Sequence, residues 1–294
     1  MPLIDSATLV RDAFRNKYCV VQINTNGGTY DITRAIAEVA EELSAPVILG
    51  AYEKNLQYRG YEYGGFQMRF FAERASVPVA IHLDHGSTVD ACQKAIDAGF
   101  TSVMIDGSHL PIDKNIEQTR AVVAIARPRG VSVEAEVGEL QRLNPDGSMS
   151  EVKNLSDPAE VARISSETGI DMLAVGIGNA HGFYKDAPNI RFDLLEKLAA
   201  ASKVPLVLHG STGLSDEVIA RCVSMGMAKA NLGTLIRTRY VHYTAEVIAD
   251  GKHQDHPWRV GQMVKDRLKP HIRHILEATG SVGRAKNFKG AGQG

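Results

Sequence analysis

Three histidines stand in equivalent places along the chain, each at the end of an apolar run and each followed directly by glycine. They are His85 in VPVAIHLDHGS, His181 in LAVGIGNAHGFY and His209 in VPLVLHGSTG. Such a run is typical of a buried strand that delivers one side chain to its C-terminal end and then turns. Three neutral imidazoles that converge on one open face suit Zn²⁺, with Co²⁺, Fe²⁺ or Mn²⁺ as substitutes. The histidines therefore predict a metal-dependent enzyme.

Acidic side chains accompany these histidines. Asp84 directly precedes His85, and a carboxylate in a partly dry pocket is suited to general acid/base catalysis. Asp106 ends a further apolar run, and Glu136 lies near the end of another. Buried acids need partners, so we interpret them as anchors for the imidazoles or as ligands at a displaced metal position. A helix cap for Asp84 and a salt bridge for the other two are the alternatives. The odd spacing of His82 from His85 predicts that His82 lies on the opposite pleat, in a structural role.

The elements that would position these residues are eight apolar runs alternating with amphipathic helical patterns. The runs span residues 19–24, 46–51, 79–85, 102–106, 132–137, 172–178, 204–210 and 228–233. Near-continuous apolar runs are typical of parallel strands covered on both faces. We predict an α/β fold, a single (β/α)8 TIM barrel over residues 1–294, with extra C-terminal helices at about 253–279 and a flexible tail from about 280. A doubly wound open sheet is the alternative; it is disfavoured because the polar strand ends should converge on one axis.

The composition excludes several classes of partner. The 294 residues carry a net charge of −1 and are 44% hydrophobic. This balance predicts a large core and no nucleic-acid or membrane partner, and no apolar run is long enough to span a bilayer. The N-terminal segment reads as an amphipathic helix rather than a signal peptide. Cys19, Cys92 and Cys222 are widely separated, which indicates reduced thiols in a cytoplasmic protein.

Two small-residue loops point to a phosphate. HGSTG at 209–213 follows the seventh predicted strand, and NLGT at 231–234 follows the eighth. Barrel enzymes often bind phosphate between these two loops through backbone N–H groups and helix N-termini. Lys185, four residues after His181, would add a cation to this phosphate site.

The motifs PVAIHLDHGS, FTSVMIDGS, VSVEAEVG, GNAHGFY, PLVLHGSTG and AKANLGT occur in this order, and with them the chain resembles the class II, metal-dependent ketose-phosphate aldolases. The resemblance extends from about Leu9 to Lys286 and includes fructose- and tagatose-bisphosphate aldolases. It implies a homodimer or homotetramer and one catalytic Zn²⁺ per chain, with room for a second divalent or monovalent cation.

The resemblance also implies roles for individual residues. His85, His181 and His209 are the implied zinc ligands, with Glu136 and Asp106 near the alternative metal position. Asp84 is the implied acid/base, which takes the C4 hydroxyl proton during cleavage, and Asn231 steers the enediolate. The implied dihydroxyacetone-phosphate pocket consists of Gly182, Lys185, Gly210, Ser211, Thr212, Gly233 and Thr234. No Schiff-base lysine is expected at a strand end.

Several segments depart from the family pattern, and together they indicate that the aldehyde half of the site is rebuilt. NTNGGTYD at 24–31 replaces the usual NxxxxE, Tyr52 stands where serine is common, and the loop at 138–151 has neither the GG nor the ED of many bacterial members. Gly233 replaces a residue that is often Asp. Glu139 is a candidate replacement for the carboxylate of that loop. We assign Tyr52 and Arg59, with Lys54, to the rebuilt half, and Asn24 to substrate binding.

These departures predict an aldehyde other than glyceraldehyde 3-phosphate, bearing a sulfonate, a carboxylate or a different stereochemistry, as in sulfofructose 1-phosphate. An ordinary fructose- or tagatose-1,6-bisphosphate aldolase is the alternative. From other classes, a barrel metal hydrolase would have no reason to keep two phosphate loops, and a catalytically silent scaffold would not need the complete set of histidines with Asp84 and Asn231.

Overall fold

Eight parallel strands close into a barrel in the order of the chain, which confirms the predicted (β/α)8 fold. The computed structural model describes residues 3–138, 155–251 and 256–288. The strands are β1 (Val20–Asn24), β2 (Val47–Tyr52), β3 (Val79–Gly86), β4 (Ser102–Ile105), β5 (Ser132–Val137), β6 (Met172–Val175), β7 (Leu206–Leu208) and β8 (Met227–Leu232).

Helices surround the barrel, and several begin at the polar residues that the sequence places there. The side chains of Asp5, Thr88, Asp157 and Ser215 accept hydrogen bonds from backbone N–H groups in the first turns of four helices, as N-caps do. The helices are α1 (Ser6–Asn16), α2 (Tyr30–Glu42), α3 (Glu53–Arg59), α4 (Tyr61–Ala72), α5 (Val89–Asp97), α6 (Ile112–Ala126), α7 (Pro158–Glu167), α8 (Phe192–Ala201), α9 (Asp216–Ser224), α10 (Thr234–Ala249) and α11 (Pro257–Ala278), with 3₁₀ turns at Arg127–Arg129 and Arg284–Asn287.

The N-terminal end of the barrel is closed by α1. Leu9, Val10 and Ala13 of this helix are completely buried and form one apolar cluster with inward side chains such as Ile48 and Val207. A separate, larger cluster fills the space between the strands and the outer helices. With one end closed by apolar packing, the C-terminal ends of the strands are where a ligand can enter.

Two strands contain an extra residue, and both irregularities affect the site. In β3, Leu83 pairs with Val103 and Gly86 with Ile105. In β8, Met227 pairs with Leu206 and Lys229 with Val207, so that one residue of β8 is inserted. Each insertion is a β-bulge, which changes the direction of the side chains that follow it.

The C-terminal helices pack against the start of the chain. Lys265 of α11 lies 2.7 Å from the carboxylate of Glu38 on α2. Beyond α11, backbone N–H groups of Gly283 and Ala285 donate to the carbonyls of Leu43 and Ser44. The side chain of Phe288 packs against the apolar cluster that contains α1. Residues 289–294 lie outside the described residues, and the flexible tail stays a prediction.

No helix among the described residues is long and apolar enough to cross a membrane.

Candidate active site

A cavity of about 880 Å³ opens at the C-terminal ends of the strands. Most residues that the sequence singled out contribute to its wall. The lining residues are Asn24, Asn26, Tyr52, Glu53, Lys54, Asn55, Gln57, Asp84, His85, Ser87, Asp106, Ser108, His109, Glu136, His181, Gly182, Gly210, Thr212, Asn231, Gly233, Thr234 and Arg237. The polar side chains that follow different strands do converge on one axis, as a closed barrel requires.

His85 and His181 line the floor of this cavity, and His209 lies completely buried beside them. One ligand atom each from His85, His181 and His209 can be chosen so that all lie within 4.8 Å of one another. Nε2 of His85 is 3.2 Å from Nδ1 of His209, and the ring centroids of His85 and His181 are 5.1 Å apart. Three imidazole nitrogens so arranged, with open space above them, fit a divalent transition metal with one free coordination position.

His85 reaches this cluster through an unusual backbone conformation. Its φ is 51°, in the left-handed region that residues other than glycine rarely adopt. Asp84 already faces the barrel axis, so a regular strand would turn His85 outward. The bulge and the left-handed residue together bring both side chains to the cavity. Nδ1 of His85 lies 2.7 Å from Oδ2 of Asp106, which leaves Nε2 directed toward the other histidines.

The prediction for His82 was wrong in its placement. His82 shares the inward pleat with Asp84, is completely buried, and its Nδ1 lies 2.7 Å from the Ser102 hydroxyl. The spacing to His85 predicted the wrong face of the strand because the backbone of β3 is irregular between the two histidines. Burial and the nearby Lys229 lower the pKa of His82 to about 3, so that this imidazole is neutral and structural.

Asp84 is held by two side-chain amides. Nδ2 of Asn24 donates to Oδ2 of Asp84 at 2.8 Å, and Nδ2 of Asn231 donates to Oδ1 at 3.1 Å. The same Asn231 nitrogen lies 2.9 Å from Nε2 of His209. The carboxylate is therefore fixed between β1 and β8, in direct proximity to the histidine cluster.

Two charged residues inside the barrel were missed by the sequence analysis. Glu134 and Lys229 are completely buried, and Nζ of Lys229 lies 2.9 Å from Oε2 of Glu134. The sequence does contain a signal for their position. Glu134 lies two residues before Glu136, and Lys229 lies two residues before Asn231, so each shares one face of its strand with a predicted site residue. A lysine thus does lie within the barrel, one layer below the strand ends.

The electrostatics of the floor favour a bound cation. Burial would raise the pKa of Asp84, but His85 and His209 outweigh it and hold that pKa well below its ordinary value. Burial lowers the pKa of His85, whereas Asp84 and Asp106 raise it, to about 10. The buried carboxylates thus stabilise positive charge among the imidazoles. A divalent metal ion would supply that charge, so the donor set and the charge of the site fit one.

Asp106 and Glu136 form a second cluster that shares one histidine with the first. One atom each from His85, Asp106 and Glu136 can be chosen so that all lie within 4.8 Å. Oε2 of Glu136 is also 3.4 Å from Nδ1 of His209. Both carboxylates therefore border the histidine cluster on the side of β4 and β5.

The two predicted phosphate loops have glycine at positions where a side chain would collide with neighbouring atoms. Gly210 has a φ of 64°, and a Cβ there would lie 2.3 Å from the carbonyl oxygen of Ala180. A Cβ at Gly233 would lie 2.9 Å from Nδ2 of Asn24. Ser211 does not line the cavity; its hydroxyl donates to the carbonyl of Asn231 at 2.6 Å. It joins the two loops rather than facing a ligand.

Two further predicted binding residues, besides Ser211, are not among the lining residues. The side chain of Lys185 is exposed, and Arg59 donates to the Thr29 hydroxyl at 3.1 Å. The basic side chains that do line the cavity, histidines apart, are Lys54 and Arg237. Arg237 was not anticipated; it lies one turn into α10, after the NLGT loop. Glu139 and most of the 138–151 loop lie outside the described residues.

Comparison with known proteins agrees with this geometry. The model for the family described as "Fructose-bisphosphate aldolase class-II" matches residues 4–284. The chain is 38% identical over 288 residues to the 6-phospho-5-dehydro-2-deoxy-D-gluconate aldolase of Bacillus licheniformis, a match covering 97% of each protein. It is 39% identical over 292 residues to the fructose-bisphosphate aldolase of Geobacillus stearothermophilus, covering 97% of this chain and 99% of the relative.

A solved structure gives the same answer for the fold. The crystal structure of the YdjI aldolase from Escherichia coli K12 is similar with a TM-score of 0.84 at 30% sequence identity, over 96% of this chain and 99% of the other. The resemblance predicted from the motifs is thereby confirmed: the chain belongs to the class II fructose-bisphosphate aldolase family, whose members are carbon–carbon lyases that carry out aldol cleavage.

Proposed function

We propose that the protein is a zinc-dependent aldolase that reversibly cleaves a ketose 1-phosphate into dihydroxyacetone phosphate and an aldehyde. The observation that carries the proposal is the position of Asp84, which is held by two amides beside three clustered imidazoles. A fixed base next to a cation site is what removal of a hydroxyl proton requires when a carbon–carbon bond beside a carbonyl breaks. Membership of an aldolase family argues against the hydrolase and the silent scaffold.

The proposed roles follow from the contacts. His85, His181 and His209 hold one zinc ion per chain, which when bound supplies Lewis-acid stabilisation for the negative charge that cleavage leaves on the ketone half. Asp84 accepts the proton of the C4 hydroxyl during cleavage and returns it in synthesis. Asn231, between Asp84 and His209, orients the enediolate. Asp106 and Glu136 border a position for a second cation.

The C1 phosphate is assigned to the two glycine loops. Gly210, Thr212, Gly233 and Thr234 line one side of the cavity, and α10 begins at Thr234. Backbone N–H groups and a helix N-terminus are a favourable environment for an anion. Gly182 lines the same cavity. Because Lys185 is exposed and Ser211 faces the Asn231 carbonyl, the proposal for this phosphate rests on the backbone of the two loops.

For the other end of the substrate we propose an acidic group that differs from the C6 phosphate of fructose 1,6-bisphosphate, such as a carboxylate or the sulfonate of sulfofructose 1-phosphate. Tyr52 packs edge-on against His85, with ring centroids 6.2 Å apart, and it narrows the cavity where serine is common. Lys54 and Arg237 supply cations in the lining of the same cavity. One relative acts on a gluconate, which is an acid.

The second candidate is an ordinary fructose- or tagatose-1,6-bisphosphate aldolase. It is favoured by relatives named fructose-bisphosphate aldolase, which are as similar to this chain as the gluconate aldolase is. Sequence identity therefore does not distinguish the two candidate functions. The side chains around Tyr52 must distinguish them.

The experiment that separates them measures kcat/KM for dihydroxyacetone phosphate release from a series of ketose 1-phosphates that differ only at C6. Wild type, Tyr52→Ser, Lys54→Gln and Arg237→Gln are compared, with Lys94→Gln as the control because Lys94 is exposed and pairs with Asp90 on the surface of α5. A charge-assisted contact is worth about 1.5–3 kcal/mol, or roughly ten- to a hundredfold in specificity. If fructose 1,6-bisphosphate is the best substrate and no variant changes the ranking, the second candidate is correct.

We further propose that the protein works in the cytoplasm as a homodimer or homotetramer. The three cysteines are reduced and buried, as suits a reducing compartment. Size-exclusion chromatography with light scattering measures the assembly directly.

A further inference from the structure

A buried ion pair lies directly beneath the proposed active site. Lys229 and Glu134 have no exposed surface, and the ammonium and carboxylate are 2.9 Å apart. Transfer of two such charges out of water is costly, and a well-packed apolar pair at the same place is often as stable or more stable. The pair is therefore poorly explained as a stabilising element.

Each member of the pair contacts a different side chain of the site. Oε1 of Glu134 lies 2.9 Å from Nε2 of His209. Nζ of Lys229 donates to Oδ1 of Asn231 at 2.6 Å. One ion pair thus reaches both a proposed metal ligand and the amide that holds Asp84.

The two contacted side chains, His209 and Asn231, can each present either a hydrogen-bond donor or an acceptor at a given position. A neutral imidazole carries its proton on either nitrogen, and a carboxamide can present either its oxygen or its nitrogen after a 180° turn. A carboxylate, by contrast, only accepts hydrogen bonds, and an ammonium only donates them. A fixed acceptor and a fixed donor therefore select one state of each ambiguous group.

For His209 the selected state leaves the ligand nitrogen free. With Glu134 accepting from Nε2–H, the lone pair is on Nδ1, which faces Nε2 of His85 at 3.2 Å. A competing donor is present, because Nδ2 of Asn231 lies 2.9 Å from the same Nε2. Without Glu134, His209 would accept from Asn231 instead, and the imidazole proton would move to Nδ1 and block a metal ion.

For Asn231 the selected state directs the amide nitrogen to Asp84. The Lys229 ammonium requires Oδ1 on its side, which places Nδ2 at 3.1 Å from Oδ1 of Asp84. The opposite orientation would place two oxygens together at Asp84 and two nitrogens together at Lys229. The ion pair therefore determines the orientation of both groups.

We propose that Lys229 and Glu134 are positioning residues that set the tautomer of His209 and the amide orientation of Asn231. The inference rests on the proposed function, since it assigns these two orientations to metal binding and proton transfer. Lys229 and Glu134 contact neither substrate nor metal and act through His209 and Asn231.

The test uses the full-length protein and two variants, Glu134→Gln, in which Lys229 retains the amide oxygen and turns the amide nitrogen toward His209, and the double variant Glu134→Leu/Lys229→Met. The single variant is isosteric, and the double variant removes both charges, so that no unpaired buried charge remains. A matched control is the double variant Glu38→Gln/Lys265→Met, which removes another lysine–glutamate pair, at 2.7 Å, between α2 and α11 and outside the barrel. Zinc affinity is measured by competition with a chromogenic chelator, and the visible spectrum of the Co²⁺-loaded protein reports the ligand set.

We expect both Glu134 variants to fold, to bind zinc about 10–100-fold more weakly than wild type, and to show an altered Co²⁺ spectrum. In the double variant kcat falls further than in the single variant, with little change in KM, because Asn231 is then released as well. The control retains wild-type zinc affinity and spectrum. Should the double variant not fold, the isosteric Glu134→Gln protein alone decides the question.

Wild-type zinc affinity and an unchanged Co²⁺ spectrum in Glu134→Gln would overturn the positioning role. Wild-type protein that binds zinc tightly but cleaves no ketose 1-phosphate would overturn the proposed function instead. The zinc titration gives its answer without substrate, so the two failures are distinguishable.

Discussion

Asn24 and Gly233 are coupled across the mouth of the barrel: a Cβ added at Gly233 would lie 2.9 Å from the amide nitrogen with which Asn24 holds Asp84. Gly233 directly precedes α10. In this chain its lack of a side chain leaves the space that Asn24 occupies. Gly233 and Asn24 are therefore one structural feature of the site.

The first prediction tests this coupling with a double-mutant cycle. Gly233→Ala should displace the Asn24 amide and lower kcat, and Asn24→Ala should lower it by a similar amount, about 10–100-fold for one lost hydrogen bond to a charged group. The double variant should be no worse than the poorer single variant, because both changes remove the same contact. Full additivity of the two effects would show that Gly233 acts independently of Asn24.

The second prediction concerns Asp84 as acid/base rather than ligand. Asp84→Asn keeps the size of the side chain but removes its ability to accept a proton, so cleavage should fall by about 10²–10⁴-fold. The bound zinc, measured by elemental analysis, should stay at the wild-type level. Loss of zinc from this variant would instead make Asp84 a ligand or a structural residue.

The parts of the site that the sequence predicted are those whose signals lie close together along the chain. The histidines and the strand runs were identified because an apolar run, a polar end and a glycine are adjacent in sequence. The predicted position of His82 was wrong because β3 contains a bulge. The bulge arises where β3 pairs with β4, and counting alternate residues back from His85 does not take it into account. Lys185 and Arg59 were assigned by proximity in sequence to site residues, and loops do not preserve such proximity in space.

Glu134 and Lys229 are a different kind of omission. Both occur at inward positions of predicted strands, and the alternation with Glu136 and Asn231 was readable. That these two residues pair with each other could not be predicted, because β5 and β8 lie on different sides of the closed barrel. The contact between Glu134 and Lys229 crosses the barrel interior. Charged residues in mid-strand become intelligible only when the partner across the axis is known.

The third prediction concerns acid stability through Glu38. Burial would raise its pKa, but the ammonium groups of Lys265 and Lys269 outweigh burial and lower it from 4.5 to about 2. A carboxyl whose pKa is lower in the folded state stabilises the fold above its unfolded pKa, and this contribution is lost as the pH falls from about 4.5 to about 2. Glu38→Gln should therefore lower the free energy of unfolding at pH 7 by about 1–2 kcal/mol, allowing for solvent screening.

Denaturant unfolding of wild type and Glu38→Gln at pH 7 and pH 3 checks this prediction. The difference between the two proteins should shrink at pH 3. An equal difference at both pH values would mean that Glu38 contributes through packing rather than charge.

The fourth prediction concerns the thiols. Cys19, Cys92 and Cys222 are buried, and burial raises the pKa of Cys92 and of Cys222 to about 12. Because the thiolate is the reactive form, none of the three should react with a thiol reagent at pH 8 in the native protein, and all three should react after unfolding. Rapid labelling of the native protein would show that at least one of these sites opens.

The central claim is that His85, His181 and His209 hold a catalytic metal ion, and its most direct measurement is removal and return of that ion. Wild type and His209→Ala are treated exhaustively with a chelator, dialysed, and assayed for dihydroxyacetone phosphate release before and after addition of one equivalent of Zn²⁺ or Co²⁺. We expect the treated wild type to be inactive and to recover with either ion, and His209→Ala to remain inactive throughout. Full activity of metal-free His209→Ala would contradict the account.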